Sequence, residues 1–272
     1  MQNALLIAAI AVGSLISTCQ AAERPEVTIP IEFQQGRPYV SVVANNILLT
    51  LLLDLGASDT VVLNRTEADK VGAYATNSNH TVISFDGNQE SFSAVHFGTI
   101  NVGDLTLCEI DGSVLTHEGS SYIGAGLLSN KLIVLDYANK QVRLYKSGDL
   151  QALRNECGDQ NFPVDVRRGV FQTYFRTEDK TLTALLDTGA NYSVLLPSVL
   201  NLNVPEYLPG SNPQFRELRN LRFNNAETKQ LNTILIEFKA PPVDIVLGTN
   251  FFNKRKVCLD APAHLGAMRE YK

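Results

Sequence analysis

The sequence predicts an all-β fold built from two duplicated lobes, and three observations predict it. One is an internal repeat at an offset of 133 residues: Leu52-Leu53-Asp54-Leu55-Gly56-Ala57 returns as Leu185-Leu186-Asp187-Thr188-Gly189-Ala190. The second is the run of β-branched or alternating segments punctuated by Gly, Asn, Asp and Pro. The third is a pair of apolar-Gly segments, Tyr122-Ile123-Gly124 and Val246-Leu247-Gly248. Each glycine is followed twelve residues later by an aspartate preceded by leucine, Asp136 and Asp260.

The repeat extends beyond its motif. Between Leu49 and Leu63, nine of fifteen residues are identical to those at the offset position, and Pro30 and Gly36 fall on Pro163 and Gly169. A long-period repeat of two copies means a duplicated lobe rather than a solenoid. With 272 residues, 44% of them hydrophobic, the chain can hold two lobes that each bury a core. The expected division is 22–146 for the first lobe, a polar linker at 147–161, and 162–272 for the second lobe.

Residues 1–21 read as an export signal. Ala4 to Ile16 is an apolar run too short to span a bilayer, and Cys19 and Ala21 occupy the −3 and −1 positions of a cleavage after Ala21. The segment before it carries no Lys or Arg. Acylation of Cys19 is the alternative, with Thr18 a poor fit before a lipidated cysteine. Export to a periplasm or out of the cell implies an oxidising compartment. Of Cys108, Cys157 and Cys258, two can then pair; Cys157–Cys258 is the preferred pair, and three unpaired buried thiols the alternative.

Taken in order, strands are expected at 27–33, 39–43, 47–53, 61–63 and 132–145, with the pattern returning at 162–174 and 182–196. Ile83 to Asn88 reads as a hairpin turned on Asp86-Gly87. Short helices should follow Gly124 and Gly248, with another at 198–202. Asn203 to Leu231, rich in Pro and Asn, reads as irregular.

A formal charge of −5, without a Lys/Arg run, disfavours nucleic acid and anionic membrane as partners. The cysteines and the histidines (His80, His96, His117, His264) show no ligand spacing, so no metal or cofactor is expected. No Ser-His-Asp or Cys-His arrangement stands out either.

Asp54 and Asp187 are the residues with chemistry. Two aspartates held about 3 Å apart cannot both ionise, so they share a proton, one acting as base on a water and the other as acid. Each needs a rigid apolar lead-in, here Leu52-Leu53 and Leu185-Leu186. Each also needs a turn that brings backbone N–H groups to the carboxylate, which Gly56 and Gly189 allow.

These residues resemble the retropepsin-like aspartic proteases, relatives of pepsin and of retroviral protease. Asp187-Thr188-Gly189-Ala190 is similar to the family's Asp-Thr-Gly-Ala motif, and Ile123-Gly124 and Leu247-Gly248 to its apolar-Gly signature. The resemblance covers both lobes, from about Val27 to Tyr271. It implies a bilobal acid-protease fold, two fused retropepsin-type lobes with the active-site cleft between them, and an aspartic endopeptidase, which the N-terminal segment would export. It implies Asp54 and Asp187 as catalytic residues and Gly56, Ala57, Thr188, Gly189 and Ala190 as the supporting loops. The substrate would be an extended peptide or unfolded protein lying along strands. One chain carrying both halves should be a monomer with pseudo-two-fold lobes. Phe85, Asp86 and Gly87 would form either the tip of a flap over the cleft or an ordinary surface hairpin.

Leu55 departs from the pattern. It stands where the family has the first of two threonines that hydrogen-bond across the lobe interface, and it can neither donate nor accept through its side chain. Asp54 could then be a remnant on a turn, and the chain a weak or inactive peptide-binding module on the same fold. Asp136 and Asp260 read as turn residues.

Overall fold

The computed structural model describes residues 25–83, 89–115, 119–200, 214–238 and 242–271. The first half runs β1 (Val27–Pro30), β2 (Glu32–Gln34), β3 (Arg37–Ala44), β4 (Ile47–Asp54), β5 (Val61–Leu63) and helix α1 (Arg65–Val71). It continues through β6 (Tyr74–Ile83), β7 (Gln89–Val102), β8 (Leu105–Leu115), β9 (Tyr122–Gly124), α2 (Ala125–Leu128), β10 (Lys131–Asp136) and β11 (Gln141–Lys146). After α3 (Leu150–Cys157), the second half runs β12 (Asn161–Pro163), β13 (Asp165–Arg167), β14 (Val170–Arg176), β15 (Thr181–Leu186) and β16 (Ser193–Leu195). A 3₁₀ turn at Pro197–Leu200 precedes β17 (Gln214–Phe223), β18 (Ala226–Leu235), β19 (Ile245–Leu247), α4 (Thr249–Phe252), β20 (Arg255–Asp260) and β21 (Leu265–Glu270).

The fold is all-β and bilobal, and the pairing repeats with the sequence. In the first lobe β4 pairs in parallel with β9, β5 antiparallel with β9, and β5 in parallel with β8. In the second, β15 pairs in parallel with β19, β16 antiparallel with β19, and β16 in parallel with β18. Parallel strands beside a crossover are buried on both faces, which explains the continuous apolar runs of β5, β16 and β19, buried at every residue. A third sheet of six strands, in the order β1-β11-β10-β20-β21-β12, joins the lobes through the antiparallel β10–β20 pair.

Four expectations change. The run 132–145 is a hairpin, β10 and β11, because the chain turns at 137–140 with Lys140 at φ 52°. The polar stretch 147–161 contains α3, capped by the Asp149 side chain on the Ala152 N–H, with Ala152, Leu153 and Cys157 buried against the joining sheet. Arg154 faces solvent while Glu156 turns inward to Arg143, Tyr145 and Lys256, so composition disguised an amphipathic helix. The stretch 203–231 is regular from Gln214 onward, as the hairpin β17–β18; residues 201–213 lie outside the described residues. Helix α1, unforeseen, starts on Asn64, whose side chain accepts from the Glu67 N–H and fits an N-cap signature. The helices after Gly124 and Gly248 are present, and the third expected helix is the 3₁₀ turn.

Cys157 and Cys258 form a disulfide from α3 to β20, and Cys108 is a free, exposed thiol. Among the described residues no helix is long and apolar enough to cross a membrane. The expected signal at 1–21 and the hairpin tip Phe85-Asp86-Gly87 lie outside the described residues. The legs of that hairpin are present, β6 and β7 pairing up to Ile83 opposite Gln89.

Candidate active site

Each aspartate stands where a buried strand runs into a glycine turn. Asp54 closes β4, with Leu51, Leu52 and Leu53 buried before it; Asp187 directly follows β15, whose last residues Ala184, Leu185 and Leu186 are likewise buried. The strands behind them are the apolar-Gly segments. Asp54 is in register with Gly124, and the Asp187 N–H donates to the Leu247 carbonyl at 3.0 Å. These glycines sit against the loops that follow the aspartates. A Cβ on Gly124 would lie 2.2 Å from the Asp59 carbonyl oxygen, and one on Gly248 2.5 Å from that of Tyr192. The next N–H groups secure the same loops, Ala125 donating to Ala57 and Thr249 to Ala190, both at 2.8 Å.

The two turns meet across the lobe boundary. A Cβ on Gly56 would lie 2.5 Å from Cγ of Asp187, and a Cβ on Gly189 2.5 Å from Cγ of Asp54. So the two glycines are required for close approach, each to the carboxyl of the opposite lobe. Each carboxyl is also held in its own turn. Asp54 Oδ1 accepts from the Gly56 N–H at 2.9 Å; Asp187 Oδ1 accepts from Gly189 at 2.8 Å and Ala190 at 3.0 Å. The Ala57 N–H closes the same turn, donating to the Asp54 backbone carbonyl at 3.3 Å.

Burial raises the Asp54 pKa well above the ordinary carboxylate range, and the charge of Asp187 raises it further. Burial raises Asp187 too, against the lowering effect of its hydrogen bonds from Asp54, Ala190 and Gly189. The carboxyls hydrogen-bond each other, so the pair retains one shared proton to higher pH than an isolated aspartate would, and the titration belongs to the pair.

Thr188 is fully buried and reaches into the other lobe. Its Oγ1 accepts from the Leu55 N–H at 2.9 Å and donates to the Leu53 carbonyl at 2.6 Å. Leu55, at the equivalent position, is also fully buried and belongs to the main apolar cluster. The interlobe lattice is therefore carried by one threonine hydroxyl, and an apolar contact fills its mirror position.

All the residues expected at the two loops, Asp54, Gly56, Ala57, Asp187, Thr188, Gly189 and Ala190, converge on this one place. One neighbour escaped the sequence reading. Tyr137, directly after Asp136, is buried between Phe33 and Phe252, with ring centroids 5.0 and 5.9 Å away. Its hydroxyl has no hydrogen-bond partner among the described residues. Burial, then the charges of Asp187, Tyr271 and Asp54, push its pKa well up. The one sequence signal was its asymmetry, since the second copy has Ala261 at that place.

Asp136 and Asp260 do take turn bonds, from Asn139 and Ala263, but each does more. Asp260 accepts from Ser147 Oγ at 2.6 Å and the Gly148 N–H at 2.7 Å, anchoring the entry to α3. Asp136, wholly buried, accepts from Lys256 Nζ of the second lobe at 2.7 Å and Arg143 at 3.0 Å. Burial alone would raise its pKa; the bonds from Lys256 and Asn139 and the charges of Lys256 and Arg143 outweigh it and bring it down to about 2. No group of three or more metal-ligating side chains occurs among the described residues.

No protein-family model and no curated protein sequence matches the chain. Among solved structures it is similar to an aspartic proteinase from Irpex lacteus, at 13% identity and a TM-score of 0.59, covering 90% of this chain and 97% of that one. At that identity the likeness concerns the fold, and this chain has the bilobal fold of an aspartic protease.

Proposed function

We propose that this chain is an exported aspartic endopeptidase in which Asp54 and Asp187 activate one water without a metal or cofactor. The observation that carries the reading is the reciprocal approach of Gly56 to Asp187 and of Gly189 to Asp54. A turn remnant would have no reason to keep both glycines pressed on the opposing carboxyl. In the reaction, the carboxylate member takes a proton from the water while the protonated member polarises the peptide carbonyl, and the roles exchange as the bond breaks. The substrate would be an extended peptide, pairing its main chain with the strands that border the cleft. The disulfide between Cys157 and Cys258 supports an oxidising destination. The cleaved chain would begin at Ala22, or within a residue or two of it. N-terminal sequencing of exported protein checks this, and an intact Met1 or a lipidated Cys19 would refute it.

Leu55 favours a second reading, a peptide-binding module without turnover. Digestion of an unstructured protein at mildly acid pH separates the two. The enzyme should cleave it and be blocked by a pepstatin-type transition-state analogue. A module would bind the peptide and leave it intact.

A further inference from the structure

We propose that the second lobe carries a binding site for an amphipathic anion, a carboxylate or phosphate headgroup on an apolar body, remote from the two aspartates. The site is a cavity of about 680 Å³ on the outward face of β14 and β17. That volume is within the range of small-molecule pockets, roughly 300–1,000 Å³.

Two arginines dominate it. Arg176 and Arg222 stand directly opposite each other where β14 and β17 pair, so both side chains leave the sheet on the same face. Both are exposed, alternating with buried Phe175 and with Leu221 and Phe223. Like charges directly opposite on a sheet repel, yet neither guanidinium has an ion pair among the described residues. The acids nearby, of which Glu178 also lines the cavity, form no ion pair with either arginine among the described residues. Glu178 accepts from Asn220 at 3.5 Å, and Asp165 is taken by His264 at 2.7 Å. Glu227 pairs with Arg222 in β18 register but forms no ion pair with it. Two unneutralised guanidiniums side by side suit a bidentate oxyanion, which would turn their repulsion into a shared attraction.

Beside the arginines the lining changes character. Tyr174, two residues before Arg176 on the same face of β14, is 48% exposed, and half-buried Pro163 and Leu265 complete an apolar wall. An inorganic ion would leave the Tyr174 ring wet, whereas an aryl or alkyl body would cover it. The cavity is not an extension of the cleft. Arg176 is paired with Thr181 at the start of β15, and Asp187 follows the other end of that strand, roughly 20 Å away at the strand rise of about 3.3 Å per residue.

Calorimetric titration of the whole protein with 4-phenylbutyrate, phenyl phosphate and inorganic phosphate tests the site. An organic anion should bind one to one, and the tighter of the two names the headgroup. Inorganic phosphate should bind at least about tenfold more weakly. Arg176→Gln/Arg222→Gln should weaken the organic anion about tenfold or more, as expected for lost charge-assisted bonds, while Asp187→Asn leaves it unchanged. Without ligand, the double variant should melt no lower than the wild type, since it removes a repulsion. The proposal falls if no organic anion binds, or if inorganic phosphate binds equally well. It also falls if the arginine variant binds normally or unfolds early, or if Asp187→Asn abolishes binding, which would place the ligand in the cleft.

Discussion

Thr188 bonds the backbone on both sides of Asp54: its Oγ1 accepts from the Leu55 N–H at 2.9 Å and donates to the Leu53 carbonyl at 2.6 Å. The residue it bonds occupies the equivalent place in the repeat, but Leu55 returns no hydroxyl. One side chain of the second lobe therefore aligns the aspartate of the first.

Thr188→Val should accordingly damage the lobe it does not belong to. It strands a buried N–H and a buried carbonyl, each costing about 1–3 kcal/mol. Thermal unfolding should show the loss, and turnover should fall with it. The converse change, Leu55→Thr, would gain about 1 kcal/mol if a hydroxyl were simply restored. Leu55 is fully buried among apolar neighbours, however, and its loss costs about 2 kcal/mol or more. The expected net result is a decrease of about 1 kcal/mol. Any gain in Leu55→Thr that persists in Leu55→Thr/Thr188→Val would mean the lattice is not its source.

Gly56→Ala and Gly189→Ala should each inactivate the protein through the opposite lobe. The new methyl would fall 2.5 Å from an aspartate Cγ. A displacement near 1 Å costs on the order of 10²-fold in rate. Peptide-cleavage rates check this, and near-native turnover in either variant would contradict the close approach of the turns.

Asp54→Asn and Asp187→Asn should each reduce cleavage on the order of 10³-fold, since either removes a partner from the acid–base pair. Their effect on stability should have the opposite sign. The dyad's pKa is raised in the folded protein, so its favourable contribution is present at acid pH and lost as pH rises through the raised value. At neutral pH the Asn variants should melt above the wild type, and that advantage should shrink on acidification. An advantage that grew towards acid pH would show that the carboxyls are not held in a raised state.

Asp136 should behave in the reverse manner. Its pKa is lowered from 3.8 to about 2, so its contribution is present above the ordinary value and lost as pH falls through about 2. Asp136→Asn leaves Lys256 and Arg143 with Glu156 as their remaining carboxylate, and should cost about 3 kcal/mol at neutral pH. Denaturation as a function of pH should show the two proteins converging between about pH 4 and pH 2. Parallel curves across that window would mean that the Asp136–Lys256 pair does not join the lobes energetically.

By itself, the sequence determined the duplication, the all-β class, the two turns and their apolar-Gly supports, because each is a local pattern repeated in register. Leu55 was visible as a break in that pattern. The tertiary structure decided what no local pattern encodes. Asp136 looks like a turn residue along the chain, and becomes an interlobe ion pair only when β10 meets β20 and delivers Lys256. Composition made 147–161 read as a linker, while burial of Ala152, Leu153 and Cys157 made it a helix. Tyr137 stood out along the chain only by its asymmetry with Ala261, and its packing against Phe33 and Phe252, from opposite ends of the chain, depends on the fold. Arg176 and Arg222 are likewise isolated residues until the pairing of β14 with β17 sets them opposite each other. Local propensity writes elements into a sequence; the sharing of charge and the meeting of side chains from distant segments depend on which elements the folded core brings together.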